Sequence, residues 1–122
     1  FKTNNNGFLI YIGSEASYKV GKYGSIYSAC KFGLRGFVKS IRIETSLNNI
    51  RVTQINPGIV KTPFYNNLKI SPGVEYDEFI EPNDISDVII DVLKIRKGTV
   101  IDEINLTSQK KIVTFKSKNW KL

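Results

Sequence analysis

The chain has 122 residues, 41% of them hydrophobic and 24% charged, with 18 basic against 11 acidic side chains. That length suits one domain, burying roughly two thirds of the surface its unfolded chain exposes. The composition excludes a disordered chain, and no apolar run approaches the ~20 residues of a membrane span, so no membrane partner is expected.

Histidine is absent. That excludes His-based triads and argues against a zinc site; no metal is expected. A single cysteine, Cys30, rules out an internal disulfide and is compatible with a reducing cytoplasm. Between Ala29 and Lys31 on a helix, it reads as a small buried hydrophobe. The opening FKTNNNGFLIYIGS has neither an adequate signal-peptide core nor a start methionine, and Met is absent throughout. The sequence therefore reads as starting partway through a longer one.

In chain order, TNNNG (residues 3–7) reads as a turn. FLIYI (8–12) is too short for a helix and suits a strand buried on both faces, stopping at Gly13-Ser14. A helix is expected over 25–47, ended by Asn48 and Asn49. Ala29, Gly33, Gly36 and Ser40 make a small-residue stripe along it, and Leu34, Phe37, Val38 and Ile41 predict broad burial. IRVTQI (50–55) is a second strand, closed by NPG at 56–58.

Residues 61–82 read as loop with short helical turns. Ile85, Val88, Ile89, Val92 and Leu93 then follow helical spacing, so a helix is expected over 84–96, with Gly98 after it. A third strand is expected near 99–106, its apolar and polar residues alternating as at a sheet edge. Strand and helix alternate, which predicts an α/β fold with a parallel sheet and right-handed crossovers. The strands should lie side by side in chain order, with the helices on opposite faces. Residues 107–122 form a basic tail holding Lys110, Lys111, Lys116, Lys118 and Lys121. It lacks an arginine-aromatic array, so it reads as a solvated surface segment and no nucleic-acid partner is expected.

Tyr27 and Lys31, in YSACK, are four apart and share a helical face. A free phenol, with a pKa of about 10, is a poor base at neutral pH, and a nearby ammonium favours the phenolate. A tyrosine tuned this way can pass a proton to or from a carbonyl or alcohol oxygen. Ser14 lies just beyond the C-terminal end of the first strand, where open α/β sheets place ligands, and NPGIVKT (56–62) ends the second strand at the same sheet edge.

Together YIGS, YSACKFGLRGFVKSIRIE and NIRVTQINPGIVKTPF resemble the short-chain dehydrogenase/reductase family. Its pattern is a serine, twelve intervening residues, Tyr-x-x-x-Lys and a Pro-Gly about thirty beyond the tyrosine; Ser14, Tyr27 and Pro57 match it. The resemblance covers residues 7 to about 106 and implies the C-terminal half of a Rossmann-like doubly wound parallel sheet, with three parallel strands and flanking helices. It also implies that Tyr27 is the general acid/base, that Ser14 orients the substrate carbonyl, and that Lys31 favours the phenolate and holds the nicotinamide ribose. Pro57, Gly58, Ile59 and Val60 would line the nicotinamide, and Thr62 would bond its carboxamide or the diphosphate.

Residues 63–82 would be the substrate loop, and the substrate an alcohol or carbonyl compound. The ending GTVIDEINL resembles that of NADP-dependent reductases of small hydroxy acids or carbonyls, so NADP is expected ahead of NAD. The family's glycine-rich diphosphate turn and catalytic asparagine have no counterpart in these residues, which read as the C-terminal catalytic half of one NAD(P)-binding domain, missing an N-terminal half. Family members commonly pair through helices here, which implies a homo-oligomer through helix 25–47. The competing function is a non-catalytic assembly fragment that pairs through the same helix.

Overall fold

The computed structural model of the protein describes residues 3–116. Its elements are β1 (Gly7–Ile12), α1 (Ser25–Glu44), β2 (Ile50–Pro57), β3 (Ile70–Pro72), α2 (Pro82–Lys94), β4 (Glu103–Leu106) and β5 (Val113–Phe115). Strands β1, β2 and β4 form a parallel sheet in that spatial order. Gly7 pairs with Ile50 and Ile12 with Ile55, while Gln54 pairs with Glu103 and Pro57 with Leu106. Order and direction are as the sequence predicts.

Side chains alternate across a strand, so β2 serves two layers. On one face Val38 of α1 packs against Ile50 and Val52, with Leu9, Tyr11, Leu34 and Ile41 around them. Burying each such aliphatic side chain contributes roughly 1.5–3 kcal/mol. On the other face the Arg51 guanidinium lies 4.4 Å from the Phe8 ring centroid, and its Nη1 donates to Ile95 O, just past α2, at 3.0 Å. The two helices thus flank the sheet on opposite sides.

Several sequence expectations are corrected. Burial centres on β2, where only Arg51 is not fully buried, whereas every residue of β1 keeps some exposure. Among the described residues β1 has one strand neighbour, so its other edge is uncovered. Helix α1 ends at Glu44, not 47, because the Thr45 hydroxyl and amide both bond back to Ile41 O and Asn49 turns the chain at φ 52°. Nor is α1 buried broadly. Ala29, Gly33, Gly36 and Ser40 lie on the side away from Val38 and are exposed, and Cys30 beside them is exposed too, not a core residue. Helix α2 starts at Pro82, earlier than expected, since a proline needs no amide partner in a first turn. The last sheet strand pairs only from Glu103, not from 99.

The described part of the basic tail is exposed at the surface, as expected, but it also pairs with the 63–82 loop. β5 pairs antiparallel with β3, Thr114 opposite Ser71 with their hydroxyls 2.8 Å apart. Lys110 bonds Asp77 through its amide at 2.7 Å and its ammonium at 2.8 Å. The Lys116 ammonium donates to Tyr65 O at 2.6 Å and Asn66 O at 2.9 Å, closing the 3-10 turn Pro63–Tyr65. Lys118 and Lys121 lie outside the described residues. No described helix is long and apolar enough to cross a membrane.

Candidate active site

Three segments meet at the C-terminal end of the sheet. Beyond β1, Gly13 continues the ladder by donating to Ile55 O at 2.7 Å. Ser14 then caps a 3-10 turn, Glu15–Ser17: its Oγ accepts from the Ala16 amide at 3.1 Å, and its own amide donates to Ser17 Oγ at 3.2 Å. A hydroxyl that accepts here keeps its own proton for another oxygen.

Helix α1 supplies the second segment. Tyr27 is 45% exposed in its first turns, so the phenol stays open to a ligand. Lys31 lies one turn on, its ammonium 5.7 Å from the Tyr27 ring centroid. No described carboxylate pairs with Lys31. Among the described residues no hydrogen bond joins Ser14 to Tyr27, or Tyr27 to Lys31; the last two are joined by proximity alone.

The third segment follows β2. Pro57 is buried, and Gly58 donates to Leu106 O at 2.8 Å. A Cβ on Gly58 would lie 3.4 Å from Glu15 Oε2, so this bend touches the turn that Ser14 caps. Ile59 O accepts from Ile80 N at 2.9 Å and Lys61 N donates to Ile80 O at 2.8 Å, pinning both neighbours of Val60. The Val60 amide has no backbone partner among the described residues, and Tyr65 stands in the turn after Thr62. Burial pushes the Tyr65 pKa up and nearby Tyr27 adds to this, while the Val60 backbone opposes them. Thr62 precedes the turn without a side-chain cap of its own.

Sequence reasoning missed two contributors. Tyr65 has no motif and stands in the turn after Thr62, where burial raises its pKa and nearby Tyr27 adds to this. Glu15 stands beside Ser14, and although burial opposes it, contacts with Lys19 and Lys111 hold its carboxyl below the usual range. Lys111 comes from the tail, so the pairing is invisible locally.

A family model described as short chain dehydrogenase matches residues 1–72. Sepiapterin reductase of Chlorobaculum tepidum is 32% identical over 106 residues, 84% of this chain and 41% of that protein. The NADP-dependent 3-hydroxy acid dehydrogenase of Schizosaccharomyces pombe is 31% identical over 107 residues, 83% of this chain and 41% of that protein. Among solved structures, an alcohol dehydrogenase of Thermococcus sibiricus complexed with 5-hydroxy-NADP superposes with a TM-score of 0.74 at 25% identity, covering 91% of this chain and 46% of that one. The chain thus spans less than half the length of these relatives. The matched motif segments, the parallel sheet and the two-sided helical layers agree: the chain belongs to the short-chain dehydrogenase/reductase family of oxidoreductases.

Proposed function

We propose that this chain supplies the catalytic, nicotinamide-facing half of an NAD(P)-dependent oxidoreductase that interconverts an alcohol and a carbonyl. The observation that carries the reading is the Lys31 ammonium held 5.7 Å from the Tyr27 ring, on the helix that follows the turn Ser14 caps. Tyr27 passes the proton to or from the substrate oxygen, Ser14 polarises that oxygen, and the Lys31 ammonium stands beside the phenol to bind the cofactor. When bound, the nicotinamide supplies or accepts the hydride.

The residues present suit that cofactor. Among the described residues no carboxylate holds Lys31, so its three donors are open to ribose hydroxyls. The Val60 amide has no backbone partner among the described residues, so a carboxamide oxygen can accept from it. Pro57, Gly58, Ile59 and Thr62 line the same bend. NADP is preferred to NAD in this reading, because the fission-yeast relative is NADP-dependent and the archaeal neighbour carries a NADP derivative. The substrate class is a small carbonyl compound or hydroxy acid, bounded by the 63–82 loop, and the missing N-terminal half supplies the diphosphate site. An exposed Cys30 thiol suits a reducing cytoplasm.

The test uses the protein with its upstream half, assayed with a panel of small ketones and oxo acids. Carbonyl-dependent oxidation is expected, with kcat/KM for NADPH about tenfold or more above that for NADH. No oxidation of either nucleotide across the panel overturns the enzyme reading. It would leave the assembly fragment as the reading to pursue.

Pairing with a second copy is also part of the proposal. Ile26 is 80% and Ile43 75% exposed, and they flank the open Ala29-Gly33-Gly36-Ser40 stripe with Phe32 and Phe37. A Cβ at Gly33 or Gly36 would meet nothing within 4 Å, so the stripe can admit another helix closely. Gly36→Leu is expected to leave the secondary structure unchanged and shift the protein to monomers in sedimentation. An unchanged oligomer would place the pairing surface elsewhere.

A further inference from the structure

On its α1-facing side, β2 runs from Ile50 and Val52 to Gln54 and Asn56 as it nears the candidate site. Gln54 is 2% and Asn56 0% exposed. Burying amides costs free energy unless their hydrogen bonds are met, and core packing alone would be served by apolar residues. Here the bonds run in a defined direction. Gln54 Nε2 donates to Asn56 Oδ1 at 2.7 Å; Asn56 Nδ2 donates to Glu103 Oε1 at 2.6 Å and Asn105 Oδ1 at 3.0 Å. With both amide hydrogens and its oxygen engaged, Asn56 cannot rotate freely.

Glu103 carries the connection to α1. Arg35 Nε donates to its Oε1 at 2.8 Å and Nη2 to its Oε2 at 2.9 Å, a two-pronged pair that fixes both groups. The Arg35 bond, with help from Asn56 and Lys39, outweighs burial and holds the Glu103 carboxyl below the usual range. Arg35 lies four residues beyond Lys31 and eight beyond Tyr27, on the same helix face. At the other end, Gly13 rests directly on the amide pair. A Cβ there would overlap Asn56 Oδ1 and fall 2.6 Å from Gln54 Nε2, so the backbone entering Ser14 is seated on these side chains.

We infer that Arg35, Glu103 and Asn56 are positioning residues that lock the turn carrying Ser14 against the helix carrying Tyr27 and Lys31. This rests on the oxidoreductase reading above. The pair alone would not require it, since many ion pairs can be replaced by apolar residues at little cost to stability. What sets this one apart is that its two arms end under Ser14 and beside Lys31. A shift of about an ångström between reacting groups can cost on the order of a hundredfold in rate, so the lock acts on turnover before stability.

The experiment compares wild type, Glu103→Gln and Arg35→Lys in the protein with its upstream half. Two readouts are taken: steady-state kinetics, and amide hydrogen exchange along β1. Glu103→Gln is expected to lower kcat about tenfold with KM for NADPH within about twofold. Exchange should quicken at Gly13 and Ser14 and stay unchanged at Leu9. Arg35→Lys, which keeps the charge but offers no fork, should fall between Glu103→Gln and wild type, and it decides the matter if Glu103→Gln does not fold. Unchanged kcat and exchange overturn the inference. So does quickening along all of β1, which marks a stability role only. Should wild type turn over no carbonyl, the function reading fails, while the exchange at Gly13 and Ser14 still decides the lock.

Discussion

Replacing Tyr27 with Phe in the protein with its upstream half is expected to lower kcat by about 10³-fold, within the range that general acid–base groups supply. NADPH binding should change little, because the ring remains and only the hydroxyl is lost. The side chain is 45% exposed, so no buried partner is orphaned and the fold should be unaffected. Proton transfer has no ready substitute. Ser14 keeps its proton at neutral pH, and the Lys31 ammonium sits a turn away. Tyr65 is an alternative phenol, but burial disfavours its ionised form. Steady-state rates with an NADPH titration check this. Near-normal turnover would mean that another group moves the proton, with Tyr65→Phe the next variant to measure.

Local pattern carried most of the fold. The short apolar run at FLIYI, the helical spacing from Ile85 to Leu93 and the turn residues between them define strands and helices whose order admits few parallel arrangements. The Tyr27–Lys31 pair was legible because four residues on a helix are one turn. The rest depends on partners distant in sequence. Arg35 and Glu103 are 68 positions apart, and neither belongs to a pattern; only the register of β4 on β2 brings them together. The strand at Val113–Phe115 is three residues among lysines, too short to show a period, and it exists through pairing with Ile70–Pro72. Cys30 and the glycine stripe were misread for a related reason. A helix with apolar residues on several sides looks buried all round, whereas the described chain covers only the side facing β2.

The docked tail changes what the 63–82 loop can be. A loop tied only at its ends would let Thr62 and Tyr65 wander relative to Tyr27. Here Lys116 closes the turn at Tyr65 and Asn66, β5 pairs with β3, and Lys110 holds Asp77. Lys110, Lys111 and Lys116 of the described tail thus bond carbonyls and carboxylates of their own chain.

Alone, these 122 residues are expected to bind NADPH at least about a thousandfold more weakly than when joined to an upstream half. A dinucleotide is held chiefly through its diphosphate and adenosine, on a glycine-rich turn that opens a helix after a strand. No such turn occurs in this sequence, whose glycines after β1 and β2 are Gly13, packed on Gln54 and Asn56, and Gly58, packed on Glu15 and Leu106. What remains for the nucleotide is the Lys31 ammonium, the Val60 amide and the bend from Pro57 to Thr62. Two or three exposed hydrogen bonds, each contributing about 0.5–1.5 kcal/mol net, amount to little against the entropy of binding. The open edge of β1 and the apolar flanks of α1 should also favour self-association of the isolated chain. Calorimetric titration of residues 1–122, beside the same residues with an upstream half, makes the comparison. Micromolar NADPH binding by the isolated chain, with its mass verified, would show that the nicotinamide end alone carries the affinity and would refute the division of labour proposed for the two halves.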